Sequence, residues 1–310
     1  MKYQRSRIYS LIVGSEDEAV EINNLEIRFK VVKTASNRDK TNSAYVEIYN
    51  LSEEKRKSLE KQYVGVQLKV GYVDTDLVSL FSGQVVNINT KRIQPILSRR
   101  QGADIITKLE ITELFEEMNS PVKSKVVPAG KKIKDVILEL IKDMPDVTRT
   151  EIKGENVERG LPDGYPISGT PRRVLDSLSR DYNIEWQIDQ GVLYVTDKDK
   201  SFTEDINTVP KYGEMSGLVE KPEYINEDAK RIRATQKATE KGKEPPKPKN
   251  PRPNALKFKI LLNPSIIAGS IINLEFGDLT GYYKVDEVTH EGAYRDDEWY
   301  STLICSERIE

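Results

Sequence analysis

Gly65-Val66-Gln67-Leu68-Lys69-Val70, Phe81-Ser82-Gly83-Gln84-Val85-Val86 and Lys108-Leu109-Glu110-Ile111-Thr112-Glu113 form a three-part phrase near the start of the chain. A similar phrase closes it. There Gly269-Ser270-Ile271-Ile272-Asn273-Leu274-Glu275-Phe276 is followed by Gly281-Tyr282-Tyr283-Lys284-Val285 and then Ser301-Thr302-Leu303-Ile304-Cys305-Ser306. Each phrase is three short strand-like runs opened or interrupted by glycine. Any two antiparallel β domains share some of this pattern, so the echo is loose. It nevertheless predicts two similar β units, one at each end.

Working outward, residues 25–33 alternate. Leu25, Ile27, Phe29 and Val31 share one face, and Glu26, Arg28 and Lys30 the other, the pattern of a half-buried strand. Residues 44–49 read as a second strand. Ser52, followed by Glu53 and Glu54, opens a short helix whose exposed N–H groups it can cap. Further strands are expected at about 66–73, 78–90 and 105–114. The adjacent apolar pair Val85-Val86 interrupts the alternation and predicts a bulge or sharp bend. Residues 1–118 are thus an N-terminal antiparallel unit of five or six strands, a tube-like β-barrel or a sandwich.

From Pro128 the apolar period changes to that of a helix. Ile133, Val136, Ile137, Leu140, Ile141 and Met144 fall on one face, with Gly130 before them and Pro145 after. Residues 119–160 form a small helical or linker domain. In residues 161–212, Thr170-Pro171 supplies an N-cap and an N1 proline. Val174, Leu175, Leu178 and Tyr182 make the stripe of that helix. A hairpin follows, 184–188 and 192–196, turning at Asp189-Gln190-Gly191. This piece is small and is expected to lean on the preceding helix to complete a core. Residues 213–310 make the C-terminal β-barrel domain, with strands at about 255–262, 270–277, 281–291 and 298–306. The class is α+β, mainly β: two tube-like antiparallel β-barrel domains with small α/β domains inserted between them.

Composition is polar, 37% hydrophobic against 32% charged, which suits several small domains or thin β layers with partners on their faces. At 310 residues, and with domains of roughly 100–150, two to four domains are expected. The net charge of -2 gives no general pull toward nucleic acid or acidic membranes. Residues 228–254, however, carry nine Lys/Arg against three acidic residues and five prolines from Pro245 to Pro253. A Lys/Pro-rich flexible loop over 226–254 follows, without an aromatic residue for base stacking. Fifteen tyrosines could line interfaces or could be ordinary strand composition. No run approaches the ~20 apolar residues of a membrane helix, and no signal peptide is recognisable.

The search for chemistry is short. His290 is the only histidine and Cys305 the only cysteine, so neither a zinc site nor a disulfide can be built from them, and both read as structural. The single thiol fits folding in a reducing cytoplasm. No Gly-x-Ser-x-Gly elbow accompanies His290, and Gly130-Lys131 lacks the upstream glycine of a phosphate loop. Glu113, Glu116 and Glu117, at a strand end, are the carboxylates a glycosidase-type pair would use, but a solvated edge is the reading preferred for them. Catalytic, cofactor and metal residues are therefore none, no cofactor is expected, and binding residues stay unassigned.

The order of several phrases resembles a known family. Leu261-Leu262-Asn263-Pro264-Ser265-Ile266, Gly269-Ser270, Gly281-Tyr282-Tyr283-Lys284-Val285 and Val288-Thr289-His290-Glu291-Gly292, with Trp299 and Ser301-Thr302 beyond, are similar to the C-terminal block of phage-tail baseplate hub proteins of the contractile-tail type. Glu47-Ile48-Tyr49-Asn50-Leu51-Ser52, Phe81-Ser82-Gly83-Gln84-Val85 and the Gly169-Thr170-Pro171 helix resemble its earlier parts. The resemblance implies a non-enzymic structural hub. It implies a homotrimer whose two tube-like domains alternate in a pseudo-six-fold ring, joining the tail tube or a distal tube adaptor protein above to a central spike protein below. Baseplate wedge proteins are further implied partners. Nucleic-acid sequence recognition and membrane insertion are not expected. The place implied is the virion tail baseplate, after synthesis and assembly in the host cytoplasm. The excursion at 226–254 departs from the family pattern. Two other readings stay open: a tail-associated cell-wall hydrolase using a carboxylate pair, and a carbohydrate or host-surface binding module on the tyrosine-rich strands.

Overall fold

The computed structural model describes residues 6–14, 19–35, 42–59, 64–93, 104–198, 200–203, 206–225 and 255–307. The excursion expected at 226–254 lies outside them. The N-terminal strands are β1 (Arg7–Gly14), β2 (Ala19–Ile22), β3 (Ile27–Thr34), β4 (Ser43–Tyr49), β5 (Gly65–Tyr72), β6 (Val78–Ile93) and β7 (Asp104–Thr112), with helix α1 (Glu53–Leu59) before β5. Strands β1 and β2 were not expected from sequence. Ser52 caps α1 by accepting the Lys55 N–H at 3.4 Å. In the middle lie α2 (Phe115–Asn119), β8 (Val122–Val127), α3 (Ile133–Ile141), β9 (Arg149–Ile152), β10 (Tyr165–Gly169), α4 (Pro171–Tyr182), β11 (Ile184–Asp189) and β12 (Val192–Asp197). The C-terminal strands are β13 (Lys211–Gly213), β14 (Leu218–Ile225), β15 (Ala255–Leu261), β16 (Ile271–Glu275), β17 (Gly281–Ala293) and β18 (Trp299–Glu307).

The two β units share one topology. The N-terminal one runs β3-β4-β7-β6-β5 and the C-terminal one β14-β15-β18-β17-β16, with every neighbouring pair antiparallel. Both are bulged at the same place. The β6–β7 ladder shifts between Val85 and Asn87, where the Val85-Val86 pair predicted it, and the β17–β18 ladder shifts between Val285 and Glu287. The registers superpose: Val85 faces Ile111 and Ile111 faces Ala44, as Val285 faces Cys305 and Cys305 faces Leu256. The echo in the sequence is therefore a repeat of strand order, direction and bulge.

The units are joined edge to edge. Before its bulge, β17 pairs with β16; beyond it, Glu287–Ala293 pairs antiparallel with Thr34–Arg28 of β3. One sheet of thirteen strands results. It is open, which corrects the expectation of two barrels: among the described residues no barrel closes. Strand β2 ends the sheet on β1, and the outer half of the β17 edge is given to the other unit rather than to its own.

Three cores support this sheet. One fills the N-terminal unit and includes Leu262 and Trp299 from the C-terminal one. Another fills the C-terminal unit around Leu256, Ile272, Val285 and Leu303. The third lies between residues 114 and 195 and combines Ile133, Val136, Ile137 and Leu140 of α3 with Val174, Leu175 and Leu178 of α4. The helix-plus-hairpin thus completes its core on α3, as expected. Thr170 accepts the Arg173 N–H at 3.4 Å to cap α4, and Pro171 stands at its first turn. The β11–β12 turn has positive φ at Gln190 (52°) and Gly191 (76°), the paired left-handed conformation of a tight hairpin.

Candidate functional site

Two contact regions set the geometry of the molecule, and both are seams between its parts. The first is the β3–β17 junction. Gly292 stands opposite Phe29, whose ring meets Trp299 edge-on at 5.3 Å. A Cβ on Gly292 would lie 2.3 Å from Phe29 and 2.8 Å from Trp299, so glycine is what lets the aromatic pair fill the seam. Arg7 covers Trp299 at 5.6 Å and donates to the carbonyl of Asp296. On the outer face Lys30 pairs with Glu291 at 2.7 Å, which raises the Lys30 pKa.

The second region is β11, buried along its whole length. Ile184, Trp186 and Ile188 face the middle core. The alternate residues meet the large sheet. Asp189 pairs with Lys33 of β3 at 2.6 Å, both nearly inaccessible, and Glu185 pairs with Lys284 of β17 at 2.5 Å. One strand therefore bolts the middle unit to both β units. Around the first bolt, Asn42 donates to Glu113 Oε2 at 2.9 Å and to the Ile188 carbonyl at 2.6 Å. The Gly191 N–H donates to Glu113 Oε1 at 3.3 Å. Burial pushes the Glu113 pKa up to about 8, with the Asp189 carboxylate adding to the effect.

The carboxylates singled out in the sequence have different surroundings in the fold. Glu113 is held by protein donors on both oxygens, at the wall of an open cleft of about 470 Å³ that runs past Gly65, Gly83, Asp146 and Gln190. The pKa of the Glu117 carboxyl, on α2, is raised to about 7 by partial burial and by the nearby Asp146. Glu116, on the same helix, uses its backbone N–H to bond Gln84. His290 is wholly buried opposite Val31 in the β3–β17 seam, its Nδ1 2.8 Å from Ser301 Oγ. Burial, then Lys33, lowers its pKa well below the usual value, so the ring is neutral. Cys305 is buried in the C-terminal core. Among the described residues, no group of three or more His, Cys, Asp or Glu side chains could hold a metal ion. Nor is any helix among them long and apolar enough to cross a membrane. Two exposed tyrosines, Tyr224 and Tyr282, lie on different strands, β14 and β17.

Sequence reasoning missed Lys33, Asp189, Glu185 and Lys284. One signal was present: Lys33 falls in phase with Ile27, Phe29 and Val31, a charge on the core side of a strand.

A family model described as baseplate hub gp41 matches residues 10–230, most of the chain. The chain belongs to the baseplate hub gp41 family. That makes it a phage tail, baseplate hub-like structural protein. The match runs across both seams' N-terminal partners, β3 and β11. Solved structures agree in fold over nearly the full length. A 43 kDa tail protein of prophage MuSo2 from Shewanella oneidensis is 9% identical with a TM-score of 0.63, covering 98% of this chain and 99% of its own. A tail protein from Neisseria meningitidis MC58 is 11% identical with a TM-score of 0.63, covering 97% of each. The E. coli c3393 protein, a component of the type VI secretion system, is 10% identical with a TM-score of 0.55, covering 92% of this chain and 74% of its own. Among curated proteins none matches the sequence.

Proposed function

We propose that three copies of this hub form a ring in which the two β units of each chain alternate, a pseudo-six-fold annulus that joins the tail tube to the central spike. Residues 1–118 and 213–310 would be the tube-like wall units. Residues 119–160 and 161–212 would act together as a buttress on their shared core. The observation that carries this reading is the β3–β17 junction. Two units of the same strand order, direction and bulge position are already joined side by side in one chain, as neighbours in a ring must be. A ring of repeated units meets its partners by shape and needs no chemistry. In keeping with this, Glu113 spends both carboxylate oxygens on protein donors. Tube or distal adaptor, spike and wedge proteins are the partners in this reading. The virion baseplate is its place, reached after assembly in the host cytoplasm.

Multi-angle light scattering on the purified protein, alone and with tube and spike proteins, tests it. A mass of three chains is expected. A monomer that persists at high concentration with both partners present overturns the reading, as would peptidoglycan clearing that disappears on Glu113→Gln.

A further inference from the structure

The repeat allows the outer edges of the two units to be compared residue by residue. In β17 the half-strand beyond the bulge is largely buried, because β3 lies on it. The matching half of β6, beyond its own bulge, pairs with β7 on one side only; among the described residues no strand occupies its other edge. Asn89 to Ile93 are exposed, and Ile93 retains 49% of its accessible surface. The strand that corresponds to β3 is β14. It ends the sheet at the opposite side, and its outward edge is likewise without a partner among the described residues. It too exposes apolar side chains, Val219 (41%) and Tyr224 (61%).

From these two free edges we infer that β6 takes β14 of a second copy, in the register that β17 uses for β3. This rests on the ring reading above and names the contact that would close it. Superposing the registers makes Lys91 equivalent to Glu291 and Glu223 equivalent to Lys30. Asn89, Thr90 and Lys91 then face Ile225, Tyr224 and Glu223 of the neighbour. The ion pair of the internal seam, Lys30–Glu291, recurs with its signs exchanged, Lys91 facing Glu223. Strand β3 is already paired on both sides within its own chain, by β4 and by β17, and offers β6 no edge; its counterpart β14 does, so N-terminal and C-terminal units alternate. Pro222 and the two register shifts of β14 limit the ladder to a short stretch and blunt the edge against indiscriminate strand addition.

Cysteine cross-linking tests this directly, since the native Cys305 is buried. Under mild oxidation the variant Lys91→Cys/Glu223→Cys should give disulfide-linked species of two and three chains on a non-reducing gel. The control Lys30→Cys/Glu291→Cys should link within one chain. Separately, Lys91→Glu should raise the protein concentration needed for assembly at least tenfold, and adding Glu223→Lys should restore it. A trimer by light scattering that neither cross-links at 91–223 nor responds to the charge exchange overturns the pairing and leaves the hub reading standing. A monomer under all conditions overturns both.

Discussion

Glu113 shows how burial changes the meaning of a residue. In the sequence it ends a strand beside Glu116 and Glu117 and reads as one of several surface acids. In the fold it is enclosed by Asn42, Gly191 and the Lys33–Asp189 pair, and its pKa rises from 4.5 to about 8. The folded chain therefore holds a proton that the unfolded chain releases between those values. Stability attributable to this group is complete below about pH 4.5 and falls as pH rises through about 8, by ~1 kcal/mol per unit. Urea midpoints measured from pH 5 to pH 8 should fall in the parent, and Glu113→Gln should flatten that dependence. An unchanged slope in the variant would place its source elsewhere. None of this is visible in the local sequence, because the hydrogen-bond partners of the carboxyl lie 71 and 78 positions away in the chain.

At the scale of elements, local chemistry was legible and pairing was not. The Thr170-Pro171 start of α4, the Ser52 cap, the tight turn at Gln190-Gly191 and the bulge after Val85 each follow from a few adjacent residues, and each is present. Strands β1 and β9 were missed. Neither has a clean apolar alternation, and β9 is a short parallel partner of β12 whose place depends on the distant hairpin. The β3–β17 seam was missed because it joins segments more than 250 residues apart. Its key residue is Gly292. Gly292→Val should force Phe29 and Trp299 out of their packed positions and cost ~1–3 kcal/mol, the usual price of overpacking a filled core. Thermal unfolding would read the loss. Gly281→Ala, where an added Cβ meets only Tyr283 at 3.7 Å, is the control and should be nearly silent.

At the scale of the whole molecule, the chain has three cores, and the two ion pairs on β11 tie the middle one to the large sheet. Breaking one buried pair by removing its cation leaves a carboxylate stranded out of water, at a cost of about 3–5 kcal/mol. Replacing both members by apolar side chains removes that penalty, so Lys33→Met should be strongly destabilising and Lys33→Met/Asp189→Leu much less so. The middle unit has a core of its own, so losing its attachment need not unfold it. Calorimetry of the parent should give a single transition, because both pairs couple the middle unit to the sheet. In Lys33→Met/Lys284→Met that coupling is gone, and the trace should divide into two transitions, one for the residues between 114 and 195 and one for the sheet. A trace that stays single would mean that apolar contacts between the cores, rather than the charged bolts of β11, make the hub one cooperative body.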